Sequence, residues 1–177
     1  SDDVLDRYYQ AAKLLQPEYV IRLTADCPLF DWRVLDDAIE ALRPETDDLS
    51  MQSETFPDGQ DLEIVRFPAL EKIWKEARLA SEREHVTLYI RNHKEQFQLQ
   101  DFACKLGNLN AERWTLDEPE DLEMIRKVYE HFSPRTDFSI KEIFAFLSEH
   151  PEIRSINQRF IRNEGLLISL AQDRIVK

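Results

Sequence analysis

The sequence predicts an α/β fold in which helices flank a mixed, mostly parallel β-sheet, and three observations support this class. Short apolar stretches of strand-like composition alternate with segments whose apolar residues recur every three or four positions. The 177 residues, 42% of them hydrophobic, suffice for one domain with a buried core. No repeat, low-complexity tract or linker divides the chain, so we predict one domain over residues 1–177, with about 151–177 as a helical C-terminal extension.

Capping residues and apolar periodicity predict the elements of the first half of the chain. Ser1 or Asp2 is expected to cap the first helix, and Asp31 the second. Pro68 stands where a proline opens a helix. In order, we predict a helix over 2–16, a strand over 19–24, a helix over 31–42, a strand over 47–52, a loop over 53–60, a strand over 61–67 and a helix from 68.

The second half continues the alternation of strands and helices. The segment "SERE" at 81–84 has the pattern of a capping box before a helix that ends near residue 92. Asp117, with Glu120 three residues later, has the same pattern before another helix. The remaining predictions are a strand over 97–104, a short strand over 113–116, a helix over 139–150 and partial helix over 151–177.

Composition excludes several classes of function. The 23 Lys and Arg against 35 Asp and Glu give a net charge of −12, which repels phosphate backbones and argues against a nucleic-acid partner. No apolar run approaches the length of a membrane span, and the acidic start lacks a signal-peptide pattern. Cys27 and Cys104 fit neither a disulfide scaffold nor a zinc site, so a cytoplasmic location is expected. Three glycines cannot build a Gly-rich phosphate loop.

Two aspartates follow predicted strands and form a candidate metal pair. Asp26 comes after the strand at 19–24, and Asp117 comes after the short strand at 113–116. Because ligands of α/β sheets bind beyond the carboxyl ends of strands, the two carboxylates are expected to converge there. One or two carboxylates together with phosphate oxygens and water suit Mg²⁺. On the residues alone, Asp26 also fits an ordinary turn and Asp117 also fits a helix cap.

Four segments in order resemble a known family. They are "RLTADCPLFD" (22–31), "TFPDGQDLEIV" (55–65), "SEREHVTLYI" (81–90) and "RWTLDEPEDLEMIRKVYE" (113–130). They are similar to the acylneuraminate and 3-deoxy-manno-octulosonate cytidylyltransferases, above all to the branch called spore coat polysaccharide biosynthesis protein F. The resemblance implies a three-layer α/β/α sandwich of the nucleotide-diphospho-sugar transferase type. It further implies that CMP is transferred from CTP to a sugar or sugar acid with Mg²⁺, in polysaccharide biosynthesis, by an enzyme that is typically a homodimer.

The resemblance also implies roles for particular residues. Asp26 and Asp117 match the two metal-binding aspartates. The expected substrate-binding residues, each of which also has an ordinary structural or surface explanation, are Arg22, Gly59, Asp61, Glu63, Arg83, His85 and Arg113. No residue stands out as a catalytic base, and Cys27 is expected to be a small buried residue rather than a nucleophile.

This chain departs from the family pattern in three ways. Ala25 stands where the family usually has Gly, and Leu88 stands where it has Pro. Nothing in the chain matches the strand and basic loop with which the family begins and binds the nucleotide, so an N-terminally truncated fold is expected. Two other functions stay open, namely a non-catalytic assembly module that uses the C-terminal helices, and a nucleotidyltransferase that uses another base.

Overall fold

The computed structural model describes residues 3–51 and 53–176, and in these residues four strands form one sheet. Their spatial order is β1 (Tyr19–Leu23), β3 (Leu62–Arg66), β2 (Asp48–Ser50) and β4 (Leu99–Asp101). β3 pairs antiparallel with β1 and β2, whereas β2 pairs parallel with β4. Three strands therefore run in one direction and only β3 is reversed. The sheet is mixed, as predicted, but β3 has antiparallel ladders on both sides.

The helices of the described residues are α1 (Val4–Leu15), α2 (Trp32–Ala41), α3 (Phe67–Glu76), α4 (Ala80–Glu84), α5 (Leu88–Asn92), α6 (Pro119–Phe132), α7 (Ile140–Glu149), α8 (Pro151–Arg154) and α9 (Glu164–Ala171). The first helix precedes the sheet strands, the next four lie between them along the chain, and the last four follow β4, whereas the one helix predicted to end near residue 92 is divided into α4 and α5. No helix within the described residues is long and apolar enough to cross a membrane.

The sheet separates two hydrophobic cores, which gives the molecule its layers. Ile64 and Val65 are neighbours on β3, and their side chains point to opposite faces. Ile64 belongs to a core with residues of α2, α6 and α7. Val65 belongs to a core with residues of α1, α3 and α5. Helices therefore cover both faces, which confirms the predicted α/β class and its three layers.

Several predicted helix starts are confirmed by their hydrogen bonds. The Asp31 carboxylate accepts the Arg33 N–H at 3.1 Å and begins α2. Pro68 lies in the first turn of α3. α1 is capped by Asp3, which accepts the Asp6 N–H at 2.8 Å. The predicted caps Ser1 and Asp2 lie outside the described residues. Gln52, at the end of the predicted strand 47–52, also lies outside them.

The capping box predicted at 81–84 is wrong. Ser81 lies inside the short helix α4, and the chain leaves the helix at His85 before α5 begins. Glu82 accepts the backbone N–H groups of Arg78 and Leu79 at 3.3 and 3.4 Å, so the acid supports the start of α4 two residues earlier than predicted. The break between α4 and α5 turns His85 and Thr87 toward the end of the sheet.

The predictions for residues 113–121 also need correction. Residues 113–116 form no strand of the sheet, and only Arg113 pairs with the backbone of Asp58. α6 begins with Glu118 as its N-cap, and Asp121, not Glu120, accepts the free backbone N–H groups of Asp117 and Glu118 at 3.0 and 2.9 Å. Asp117 therefore precedes the helix, and its side chain is not used as the cap.

Candidate active site

The main cleft of the described residues has a volume of about 560 Å³ and lies where β1 ends and β3 begins. Because β3 is reversed, its first residues lie beside the last residues of β1, with Arg22 opposite Glu63. The α4–α5 turn, residues 113–118 and residues 162–168 complete the walls. Two side-chain clusters line this cleft, and a buried carboxylate lies behind the first and within the second.

Asp26 and Asp117 form the first cluster, which we call the acidic edge. The Leu116 N–H donates to the Asp26 carbonyl oxygen at 2.8 Å, and the Thr115 hydroxyl donates to the same oxygen at 3.2 Å. These bonds fix the two loops side by side, so both aspartates line the cleft. The Asp117 side chain is 51% exposed, and Asp26 is also exposed, so both can reach a ligand.

Arg113 lies behind the acidic edge and is held by three carboxylates. Its Nη2 donates to Asp117 at 3.2 Å and to Asp121 at 2.8 Å, and its Nη1 lies 3.3 Å from the Asp58 carboxylate. Asp121 is fully buried and also accepts the Asn157 amide at 2.8 Å. Burial would raise the pKa of Asp121, but the bonds from Arg113 and Asn157 lower it below its usual value. Asp121 therefore stays charged and fixes Arg113 beside Asp117.

Glu63, Arg22 and Arg91 form the second cluster, which we call the arginine side. The buried Glu63 carboxylate accepts Arg22 Nη1 at 3.0 Å, Arg91 Nη2 at 2.9 Å and the Thr87 hydroxyl. Burial would raise the pKa of Glu63, but Arg22, Arg91 and Thr87 together lower it. The two arginines keep 22% and 43% of their side chains exposed, so their charges remain accessible from the cleft.

Three nitrogen atoms on residues that line the cleft are buried without a hydrogen-bond partner among the described residues. They are Arg22 Nε, His85 Nε2 and Arg162 Nε. Burial lowers the pKa of His85, and the charges of Arg22 and Arg91 lower it further, which favours the neutral imidazole. Unsatisfied buried polar atoms are rare in folded proteins. At the walls of the cleft these three atoms leave hydrogen-bonding capacity that the described residues do not use.

The structure assigns two of the expected substrate-binding residues to structural roles. Arg83 is only 4% exposed, lies outside the cleft, and donates to the Asp3 carboxylate at 2.7 Å and the Trp74 carbonyl at 2.8 Å. Gly59 has a φ of +94°, and a Cβ there would lie 2.6 Å from backbone atoms of Trp114 and Thr115. Gly59 therefore allows its loop to pack against residues 113–115 and does not line the cleft.

Sequence reasoning missed several charged residues that the fold brings to the cleft, among them Asp58, Arg91 and Arg162. Arg91 is in the helix that the sequence predicts, but nothing in the pattern indicates that it turns toward Glu63. Arg162 Nη1 donates to the Phe56 carbonyl at 2.7 Å, and its Nη2 lies 3.5 Å from Asp61. In the sequence, nothing marks these residues as part of a site except that they lie in segments rich in polar residues.

The acidic edge fits a phosphate-bound magnesium ion better than a metal held by protein alone. Within the described residues, no group of three or more His, Cys, Asp and Glu side chains is placed to hold a metal. Two exposed carboxylates suit Mg²⁺, which commonly takes one or two protein carboxylates and fills its shell with substrate phosphates and water. Arg113 already offsets part of their negative charge.

The comparisons with known proteins identify the family. A cytidylyltransferase family model matches residues 1–149. The chain belongs to the cytidylyltransferase family. It is 32% identical over 158 residues to the spore coat polysaccharide biosynthesis protein SpsF of Bacillus subtilis, covering 84% of this chain and 62% of that protein. It is 31% identical over 160 residues to the uncharacterized protein MJ1063 of Methanocaldococcus jannaschii, covering 88% of this chain and 63% of that one.

A solved structure of the same family shares the fold. The cytidylyltransferase of Leptospira borgpetersenii superposes with a TM-score of 0.84 at 29% identity, covering 91% of this chain and 68% of that one. The match confirms that the sheet and helices described above are those of this family. The chain spans 62–63% of the length of the two curated relatives.

Proposed function

We propose that this cytidylyltransferase-family chain transfers CMP from CTP to a sugar, releasing pyrophosphate, in the biosynthesis of a surface polysaccharide or glycan. The observation that carries the proposal is the pairing of an acidic edge with an arginine side in one cleft at the end of the sheet. The acidic edge suits the phosphates of a metal-bound nucleotide. The arginine side, with His85, suits the polar groups of a sugar or sugar acid.

In the proposed reaction, a sugar hydroxyl attacks the α-phosphorus of CTP and pyrophosphate leaves. Asp26 and Asp117 would hold Mg²⁺, which when bound supplies positive charge that offsets the charge of the phosphates. Arg113 is fixed beside Asp117 by the buried Asp121 and adds a second positive charge at this edge. Arg22 is held in place by Glu63 and is available to orient the sugar.

The first test is a pyrophosphate-release assay with CTP, Mg²⁺ and a panel of sugars and sugar acids. It uses the 177-residue chain and, where the natural protein is longer, that longer protein. We expect Asp26→Asn and Asp117→Asn to lower kcat by about 100-fold or more and to raise the Mg²⁺ concentration that gives half-maximal rate. Asp36→Asn, an exposed aspartate of α2, serves as the control and should leave both values unchanged. Wild-type turnover in either cleft variant contradicts the metal assignment.

The same assay distinguishes the nucleotide. Replacing CTP with ATP, GTP, UTP or dTTP should abolish pyrophosphate release with every sugar that CTP supports. Release with another nucleotide and none with CTP would assign the chain to a nucleotidyltransferase of different base specificity.

A second candidate, a non-catalytic assembly module, is favoured by one feature of α9. Leu167 and Leu170 are 54% and 44% exposed and do not line the cleft, and exposed apolar side chains on one helix are typical of contact surfaces. The same surface is available to a homodimer of an active enzyme. Sedimentation velocity of wild type and Leu167→Ser tests the contact. A dimer lost in the variant, together with no pyrophosphate release from any nucleotide, supports the module.

A further inference from the structure

Asp58 is a buried carboxyl group in the cleft that belongs to neither side-chain cluster. It lies in the turn between Phe56 and Gln60, lines the cleft, and has only 12% of its side chain exposed. Its backbone is fixed, because its N–H donates to the Glu112 carbonyl at 2.9 Å and its carbonyl accepts the Trp114 N–H at 2.7 Å. The side chain is therefore held by the same segment that leads to Asp117.

The hydrogen bonding of Asp58 distinguishes it from Glu63 and Asp61, the two carboxylates that follow it along the cleft. Glu63, which is also buried, accepts hydrogen bonds from three side chains. Asp61 is 46% exposed and accepts the Gly59 N–H at 3.2 Å. Among the described residues, Asp58 accepts only one long bond, from Arg113 Nη1 at 3.3 Å. Most of its capacity to accept a hydrogen bond or a proton is therefore unused, although the group is largely shielded from water.

We propose that Asp58 is the general base of the transfer, an inference that rests on the proposed function. The sugar hydroxyl oxygen forms a bond to the α-phosphorus of CTP while its proton moves to the Asp58 carboxylate. The bond between the α-phosphorus and the bridging oxygen of pyrophosphate breaks, and pyrophosphate leaves with the electron pair. CMP-sugar, pyrophosphate and a protonated Asp58 are the products, and the proton is then released to water.

The position of Asp58 fits this role because the group lies between the two clusters. Arg113 contacts Asp58 through Nη1 and Asp117 through Nη2, at 3.3 and 3.2 Å, so one guanidinium links Asp58 to the acidic edge. On its other side, Asp58 is followed by Asp61 and Glu63, which lead to the arginine side. In the proposed reaction the attacking sugar hydroxyl lies at this junction, beside the Asp58 carboxylate.

The charges around Asp58 suit a base that works near neutral pH. Burial raises the pKa of Asp58 to about 6, and the neighbouring Asp61 and Asp117 raise it, while Arg162 and Arg113 lower it. The group is therefore a carboxylate above about pH 6 and becomes protonated below it. A base is most effective when its pKa lies close to the working pH, because the deprotonated form is populated and still accepts a proton readily.

The test compares pH profiles of kcat/KM for wild type and Asp58→Asn with CTP and the best sugar of the panel. Both proteins meet the same substrates, so titration of the nucleotide phosphates affects both profiles equally. Wild-type activity should fall with falling pH around 6. Asp58→Asn should lose about 10²- to 10⁴-fold in kcat, keep its KM for CTP within a few-fold, and lack the Asp58-dependent part of the acid limb. Asp36→Asn is the control, and it should match wild type throughout.

Each outcome decides the inference. If Asp58→Asn keeps kcat within about threefold of wild type, or keeps the full acid limb, Asp58 is not the base. If circular dichroism shows that Asp58→Asn does not fold, Asp58→Glu replaces it, since it keeps a negative charge beside Arg113. A fall in kcat of tenfold or more with a displaced acid limb then supports the base, and any smaller change overturns it. If the wild-type chain, and the longer natural protein where there is one, transfer no nucleotide to any sugar, the proposed function and this inference are both overturned.

Discussion

Glu63 is the residue on which the arrangement of the arginine side depends. Its carboxylate is buried and joins Arg22 of β1 to Thr87 and Arg91, which lie at the start of α5 and within it. Removing one partner of a buried ion pair leaves the other charges uncompensated, which typically costs about 3–5 kcal/mol. Since both arginines are partly exposed, we expect Glu63→Gln to lower the free energy of unfolding by an amount near the lower end, about 3 kcal/mol, in urea denaturation at pH 7.

The pH dependence of this effect follows from the lowered pKa of Glu63. A carboxylate whose pKa is lower in the folded state contributes stability above its unfolded pKa and loses that contribution as the pH falls through its folded pKa. The difference between wild type and Glu63→Gln should therefore be largest above about pH 4.5 and shrink below it. Glu123→Gln, on the exposed face of α6, is the control and should change stability little at any pH. A Glu63→Gln effect that is constant down to pH 3 would contradict this account.

At the scale of single residues, the sequence predicts which side chains reach the cleft when those residues lie at the end or at the start of a strand. Asp26 follows β1, and Asp61 and Glu63 share one face at the start of β3, so their place at the cleft follows from chain direction and a period of two. Asp58 and Arg91 could not be found this way. Their position depends on which backbone segments pack against them, and that is decided by contacts between residues far apart in the chain.

Among the elements, the turn containing Gly59 provides the sharpest test of packing. A Cβ at Gly59 would lie 2.6 Å from the backbone of Trp114 and Thr115, whereas a Cβ at Gly107 would meet nothing within 4 Å. Their φ values, +94° and +95°, are nearly the same. Both substitutions to Ala should cost about 1 kcal/mol for backbone strain, and Gly59→Ala about 1–3 kcal/mol more for the clash. Thermal unfolding of the two variants measures the difference, and equal destabilisation would show that residues 113–115 move aside freely.

Helix boundaries were predictable where the cap and the apolar stripe agree. Asp31 and Ser139 each precede a regular stripe, and the structure confirms both as caps of α2 and α7. Ser81 also has the local pattern of a cap, but the helix begins earlier because Glu82 accepts backbone N–H groups of the preceding turn. In front of α6, Asp121 takes the capping bonds because its buried position between Arg113 and Asn157 already fixes its carboxylate. Local patterns cannot rank two acids that compete for the same N–H groups.

In the whole molecule, residues 154–176 connect the two sides of the cleft. Arg154 pairs with Glu112, and Asn157 donates to the Arg113 carbonyl at 2.9 Å behind the acidic edge. The segment then passes Arg162, which lines the cleft, and reaches α4, where the Ser169 hydroxyl donates to Glu84 at 2.7 Å. Composition and periodicity predict only partial helix here. The path of the segment depends on hydrogen bonds and ion pairs to residues far away in the chain. Such contacts leave no periodic pattern in the sequence, so they cannot be predicted from it.

The far attachment of this segment can be tested separately from the cleft. The Asp173 carboxylate accepts the Ser81 N–H at 3.1 Å and the Ser81 hydroxyl at 2.7 Å, next to backbone bonds that join Arg174 to Ala80 and Val176 to Arg78. Asp173→Ala removes the two bonds from Ser81, worth about 1 kcal/mol each, so the Ala80 and Val176 amides should exchange with deuterium roughly 30-fold faster. Amides of β3 should exchange at the wild-type rate, because they become accessible to solvent only when the sheet itself opens. Asp36→Ala, which removes an exposed aspartate of α2, controls for the change in charge. Unchanged exchange at Val176 would show that the backbone bonds alone hold the segment, whereas faster exchange throughout β3 would show that it stabilises the whole sheet.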